Sequence, residues 1–172
     1  MKNLFMKSLD FARRHIILAL TAKFFAGLVI GFGLGVYFLP ILIADAPVDD
    51  TLVLAQSEAA ERQAIFVRDR ADSDLGHWGE GTLYLTSTRV TLDGEVSPGP
   101  DYRLYLTPTF VETEDGFEAI KSQSVEIARI KGFKNFSYEI PPSIDINQYG
   151  AVVIWCERFA QYITSGPLTA RQ

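Results

Sequence analysis

Cysteine is almost missing from the sequence: Cys156 is the single one in 172 residues. One thiol excludes an internal disulfide, so any folded domain here must stand on hydrophobic burial alone. Histidine is nearly as scarce, with His15 and His77 only. A His-rich metal centre or a Ser-His-Asp triad would have to be built around a single imidazole. Both methionines, Met1 and Met6, lie at the extreme N-terminus. The sequence has no glycine-rich phosphate loop, no nucleophile elbow, no Cys-x-x-Cys pair and no His-Glu-x-x-His helix, which removes the commonest nucleotide-binding, hydrolase and metalloprotease readings. Excess positive charge is missing as well. Beyond residue 43 the chain holds 11 Lys and Arg against 20 Asp and Glu, a balance that disfavours nucleic acid, whose phosphates need clustered cations.

What the sequence does have is one long apolar run. Phe24 to Ile43 contains no charged residue, and Ile16 to Leu20 extends the run with only Lys23 between. Twenty helical residues span roughly 30 Å, the thickness of a bilayer's hydrocarbon core. A single transmembrane helix is therefore predicted over residues 16–43, an uncleaved signal anchor behind a cytoplasmic tail of residues 1–15. Residues 1–43 carry a net charge of +4 and the remainder −9. Positive residues stay on the cytoplasmic side, which predicts a single-pass protein of the cytoplasmic (inner) membrane, N-terminus inside, with the C-terminal part periplasmic or extracellular. A cleaved signal peptide is the competing reading. Its apolar core would be about 7–15 residues long; Ala44-Asp45-Ala46 resembles a cleavage site, but this run is too long and Pro47 follows at once. Gly27, Gly31 and Gly35 recur every four residues, on one helix face, the spacing that lets two membrane helices approach closely. The lipid bilayer and a second copy of the chain are thus the expected partners of this segment, although glycine is simply frequent in membrane helices.

Residues 44–64 change to Asp, Glu, Ala and Gln and read as a stalk, with Asp49 or Asp50 capping a short helix through Leu52 to Glu61. From residue 65 to residue 172 the pattern is all-β. Short runs rich in Val, Ile, Thr, Tyr and Phe stand at Gly81–Thr86, Arg89–Leu92, Tyr102–Thr107, Phe110–Thr113, Ser124–Ile130, Phe136–Ile140, Ala151–Cys156 and Phe159–Thr164. They are separated by the turn clusters Asp93-Gly94, Ser97 to Asp101, Glu114-Asp115-Gly116, Lys131-Gly132 and Pro141-Pro142. Such strands predict a mainly β domain, an antiparallel β-sandwich or barrel, preceded by the single membrane helix and short stalk.

Two places in this domain carry chemistry. Ala151 to Cys156 is apolar and rich in β-branched residues, the pattern of a central strand covered on both faces. Val152, Ile154 and Cys156 share one face and Val153 and Trp155 the other. A thiolate there could be oxidised reversibly or could ligate haem iron or a soft metal; a free cysteine is also one of the most buried residue types and often only a small hydrophobe. His77 stands in Ser73-Asp74-Leu75-Gly76-His77-Trp78-Gly79 just before a strand. An imidazole on such a loop could ligate a metal or haem, or could merely cap a turn.

Taken together and in order, these motifs resemble the DM13 domain, found in animal cell-surface proteins and in small bacterial membrane or lipid-anchored proteins. The resemblance covers about Phe66 to Leu168. It rests on Phe66, His77 and Gly81-Thr82; on Gly99-Pro100-Asp101 with Tyr105-Leu106; on Gly132, Tyr138, Ile140 and Pro141, then Asp145 and Tyr149; on Val153-Ile154-Trp155-Cys156 with Phe159; and on Gly166 and Leu168. The stretch Lys134-Asn135-Phe136-Ser137 replaces the family's usual glycine, and Arg103 stands where an apolar residue is common. The resemblance implies an all-β domain proposed to take part in electron transfer, its cysteine a bare thiol or a ligand to a prosthetic group such as haem. Cys156 is then the candidate redox residue, Cys156, His77 and Trp155 the candidates for holding a cofactor, and an envelope or redox protein the expected partner. A periplasmic setting follows from the same likeness. The alternative is a non-catalytic binding or assembly module in which the cysteine is structural.

Overall fold

Ile16–Leu42 is a helix, α1, apolar around its whole circumference. The computed structural model describes residues 14–171, and the expected cytoplasmic tail lies almost entirely outside them. At about 1.5 Å per residue α1 is about 40 Å long, and among the described residues it is the one helix long and apolar enough to cross a membrane. Its phenylalanines, leucines and isoleucines are exposed, and among the described residues nothing stands within 4 Å of where a Cβ on Gly27, Gly31 or Gly35 would lie.

Contacts divide the chain at Pro40, and the second unit runs from there to the C-terminus. It begins with α2 (Asp50–Ala59), capped by Asp49, whose carboxylate accepts the Thr51 N–H at 2.7 Å. The segment expected to form a stalk thus contains a helix that lies against the domain, with Val53 and Ser57 buried.

Nine strands follow: β1 (Arg62–Phe66), β2 (Gly79–Leu85), β3 (Arg89–Val96), β4 (Tyr102–Thr107), β5 (Val125–Ile130), β6 (Ser137–Glu139), β7 (Ala151–Cys156), β8 (Gln161–Pro167) and β9 (Thr169–Ala170). They form two antiparallel sheets, of order β6-β3-β2-β1-β9 and β5-β4-β7-β8. The architecture is a sandwich rather than a closed barrel. The main core lies between the sheets, where Phe66, Leu83, Leu85 and Leu92 of one meet Tyr102, Leu104, Leu106, Val152, Ile154 and Cys156 of the other. On its outer face the four-stranded sheet carries a second cluster, Tyr105, Val153, Trp155 and Tyr162, covered by Phe117 of α3 (Glu114–Ile120).

Three expectations are corrected. Phe110–Thr113 is not a strand; it leads into α3, whose first turn is closed by the Gly116 N–H donating to Thr113 Oγ1 at 3.1 Å. Asp93-Gly94 is not a turn but the middle of β3, opposite Gly81 of β2. Both glycines have positive φ, +150° and +125°, and a Cβ on either would stand 2.1–2.2 Å from a carbonyl oxygen across the ladder. Only glycine permits that close backbone approach. The third is β1, which forms at the end of the presumed stalk because Ala64 and Phe66 point into the core and Arg62 reaches inward to the carbonyls of Ile146, Tyr149 and Leu168 at 2.7, 2.7 and 3.0 Å.

Candidate functional site

Cys156 ends β7, opposite Tyr102 of β4 and Gln161 of β8. The alternation read from the sequence holds: Val152, Ile154 and Cys156 face the main core, Val153 and Trp155 the outer cluster. Cys156 is unpaired and only 2% exposed. Burial pushes its thiol above the ordinary value, because a thiolate is costly to desolvate. The backbone amides of Phe159, Arg158 and Asp101 favour the thiolate and oppose that effect in part, while the Asp101 charge adds to it.

Beside the thiol stands Tyr102, also 2% exposed. Its ring explains Gly99-Pro100-Asp101. A Cβ on Gly99 would stand 2.3 Å from the ring carbons, so this turn needs glycine to lie flat on the tyrosine. Asp101 then ties the turn to its surroundings. Its Oδ1 accepts from Arg103 Nε at 3.1 Å and from Arg129 Nη2 at 3.3 Å, and its carbonyl accepts the Glu157 N–H at 3.0 Å. Arg103 therefore has a role on the solvent side of β4, bridging Asp101 and Glu126, the latter at 2.8 Å.

The Tyr102 hydroxyl lies 3.5 Å from Ser97 Oγ, and Ser97 in turn accepts the Trp78 N–H at 3.2 Å. The Ser97 N–H donates to the Trp78 carbonyl at 2.9 Å. This small network carries the His77 loop to the same end of the sandwich as Cys156. Burial raises the Tyr102 phenol strongly; Ser97 opposes, and the charges of Cys156 and Asp74 raise it further, so the phenol lies within electrostatic reach of both. His77 itself turns to Asp74, with Nδ1 3.0 Å from each carboxylate oxygen, and its N–H and that of Gly76 donate to Asp74 Oδ1 at 2.8 and 2.6 Å. The hydrogen bond from His77 is the main reason the Asp74 carboxyl falls below its ordinary value. His77 thus closes a loop that shares a network with Tyr102, and no contact joins it to the thiol among the described residues.

Trp155 is on the other side of the sheet. Its ring packs 4.9 Å from Phe117 and 5.4 Å from Lys121 Nζ, and its buried Nε1 has no hydrogen-bond partner among the described residues. Lys121 donates to Glu157 Oε2 at 2.7 Å, and the Tyr105 hydroxyl donates to Glu157 Oε1. Burial alone would raise Glu157, but the hydrogen bonds from Lys121 and Tyr105 outweigh it and hold the carboxyl below its ordinary value. Sequence reasoning missed this triad, since Lys121 and Glu157 are 36 residues apart and only α3 brings them together.

A haem does not fit these residues as they stand. The thiol is enclosed by packed core, no contact among the described residues joins it to His77, and Trp155 lies on the opposite face of the sheet from the thiol. A thiolate ligand must reach the iron, and a sulfur only 2% exposed inside the core does not. Among the described residues no group of three or more His, Cys, Asp or Glu is arranged to hold a metal ion.

The fold and site define an antiparallel β-sandwich with one enclosed cysteine, next to a Gly-Pro-Asp turn. Residues 72–168, more than half the chain, match the family described as "Electron transfer DM13". The chain belongs to the DM13 family, and that description supports a redox-related role. No curated protein and no solved structure matches it.

Proposed function

We propose that the protein is a membrane-tethered, extracytoplasmic electron-transfer accessory module whose redox group is the bare thiol of Cys156, rather than a stand-alone enzyme. The observation that carries this reading is the meeting of the family's electron-transfer description with the chain's single thiol, held at a strand end; burial raises that thiol above its ordinary value, and the amides of Phe159, Arg158 and Asp101 offset part of the effect. Its partner would be a redox or envelope protein in the same compartment, and the glycine face of α1 would join two copies. Charge asymmetry about α1 supports an N-terminus inside and the β domain outside. A reporter fused after Gln172 should be active only in the exported compartment; activity in the cytoplasm would overturn the orientation.

A second reading is favoured by one observation, the burial of Cys156 in the main core: a binding or assembly module with a structural cysteine. An absorption spectrum of the full chain in detergent, purified without reductant, together with thiol titration before and after unfolding, separates the two. A colourless protein whose thiol titrates while folded supports the bare redox thiol. A thiol silent until unfolding leaves the assembly module as the better account.

A further inference from the structure

The chain leaving α1 is pinned to the β domain immediately. The Asp45 N–H donates to the Lys131 carbonyl at 3.1 Å and the Val48 N–H to the Asn135 carbonyl at 2.8 Å. Asn135 Nδ2 donates to Asp50 Oδ1 at 3.4 Å. Gly132 lies beneath this segment, where a Cβ would stand 3.1 Å from the Asp45 carbonyl oxygen. All these residues belong to the unit that starts at Pro40.

Beside the pinned segment is a cavity of about 290 Å³ whose apolar walls include Pro40, Ile43, Pro100 and Phe133 and whose basic residues are Arg129 and Lys131. Lys131 is exposed and makes no ion pair among the described residues, and Arg129, also exposed, uses Nη2 on Asp101 at 3.3 Å. Asp101 is already shared with Arg103 at 3.1 Å. An apolar wall with two cations is the lining that suits an amphiphile with a negative head.

We propose that this cavity holds the phosphate headgroup of an anionic phospholipid of the outer leaflet, its glycerol end against Pro40, Ile43 and Phe133. The proposal rests on the membrane-tether reading above. Asp45 is three residues beyond Leu42, the last residue of α1, and three extended residues reach at most about 10 Å. The polar layer on each side of a bilayer is roughly 5–8 Å thick. A backbone carbonyl bonded to Asp45 therefore lies within or just above the headgroups whenever α1 spans the membrane. A phosphate there would give Lys131 an anionic partner and Arg129 a second one beside Asp101; a headgroup of no net charge brings a cation of its own next to them, and an anionic one does not.

The test uses the full chain, its R129Q/K131Q variant and K131Q alone, each in nanodiscs containing phosphatidylcholine and phosphatidylglycerol with a photo-crosslinking analogue of each. Labelled peptides around Pro100 and Phe133 are read by mass spectrometry. The native chain should prefer phosphatidylglycerol, K131Q should lose about fivefold of that preference, and the double variant should lose it entirely. K131Q breaks no ion pair among the described residues, so a folding defect in the double variant leaves the single variant decisive. Equal labelling by the two lipids in the native chain overturns the proposal. Loss of labelling on adding inorganic phosphate also overturns it, by making this a site for a free anion. Flotation with vesicles is measured in parallel. A chain that floats but shows no lipid preference refutes this inference alone; one that does not float refutes the tether as well.

Discussion

Cys156 is buried in the main core, and the size of what replaces its sulfur decides the cost of changing it. Cys156→Ala removes one buried sulfur and should cost about 1 kcal/mol, whereas Cys156→Ser places a shorter, more polar hydroxyl in the main core, where the amides that meet the sulfur compensate it only in part, and should cost about 1–3 kcal/mol. Denaturant titration of both variants checks the order; a serine variant as stable as the alanine one would mean that the amides of Phe159, Arg158 and Asp101 satisfy the hydroxyl in full. Gly99 is the other sensitive position. Because an added Cβ meets the Tyr102 ring at 2.3 Å, Gly99→Ala should cost about 1–3 kcal/mol by overpacking. It should also raise the accessibility of the Cys156 thiol, since the ring that must shift is the one beside the sulfur. A Gly99→Ala chain with native stability and native thiol reactivity would contradict that packing.

Among the elements, α3 does most to fix the outer face of the four-stranded sheet. Phe117, fully buried, stacks at 4.9 Å on Trp155 and 5.1 Å on Tyr105. Phe117→Ala should cost about 3–5 kcal/mol and abolish the near-ultraviolet dichroism of Trp155 while the far-ultraviolet signal stays largely β. Retained Trp155 dichroism would show that α3 is not what holds the ring. The same element shows what the sequence hides. β7 could be read to the residue because Val152, Val153 and Ile154 form an unbroken β-branched run bounded by glycine and charge. α3 could not, because Glu114-Asp115-Gly116 has the composition of a turn and becomes a helix only when Thr113 caps it and Phe117 finds the sheet. β1 was hidden for a different reason: Arg62 and Gln63 look like stalk residues, and their place in a sheet depends on partners in β2 and β9 that lie distant in sequence. The candidate site divides in the same way. The face occupied by Cys156 follows from strand alternation, but its association with the His77 loop depends on Trp78 and Ser97 meeting across the β2–β3 pair, which no local pattern encodes.

For the whole molecule, ionisation sets the limits of stability on both sides. Tyr102, Tyr105 and Tyr162 are raised above their ordinary 10.0, chiefly by burial, Tyr162 to about 12, and Cys156 is raised above 9.0 for the same first cause. Each favours its neutral form when folded, so its contribution is complete below the unfolded value and is lost as pH rises through the folded one. Glu157 and Asp74 are lowered from 4.5 and 3.8, so theirs is complete above those values and is lost as pH falls. Tm should therefore be flat between about pH 5 and 9 and decline on either side. Glu157→Gln should flatten the acid decline, and a variant with an unchanged acid limb would remove the Tyr105–Glu157–Lys121 triad from the stability of the fold.

The most direct test of the redox-thiol reading is the rate at which Cys156 of the folded full chain reacts with a soluble disulfide, measured across low denaturant concentrations and compared with the global unfolding rate. A functional thiol reached by local opening of the Glu157–Ala160 turn reacts faster than the protein unfolds, with a rate nearly independent of denaturant. A reaction that matches global unfolding in rate and denaturant dependence would make Cys156 a core residue only, and the electron-transfer role would have to lie elsewhere in the chain.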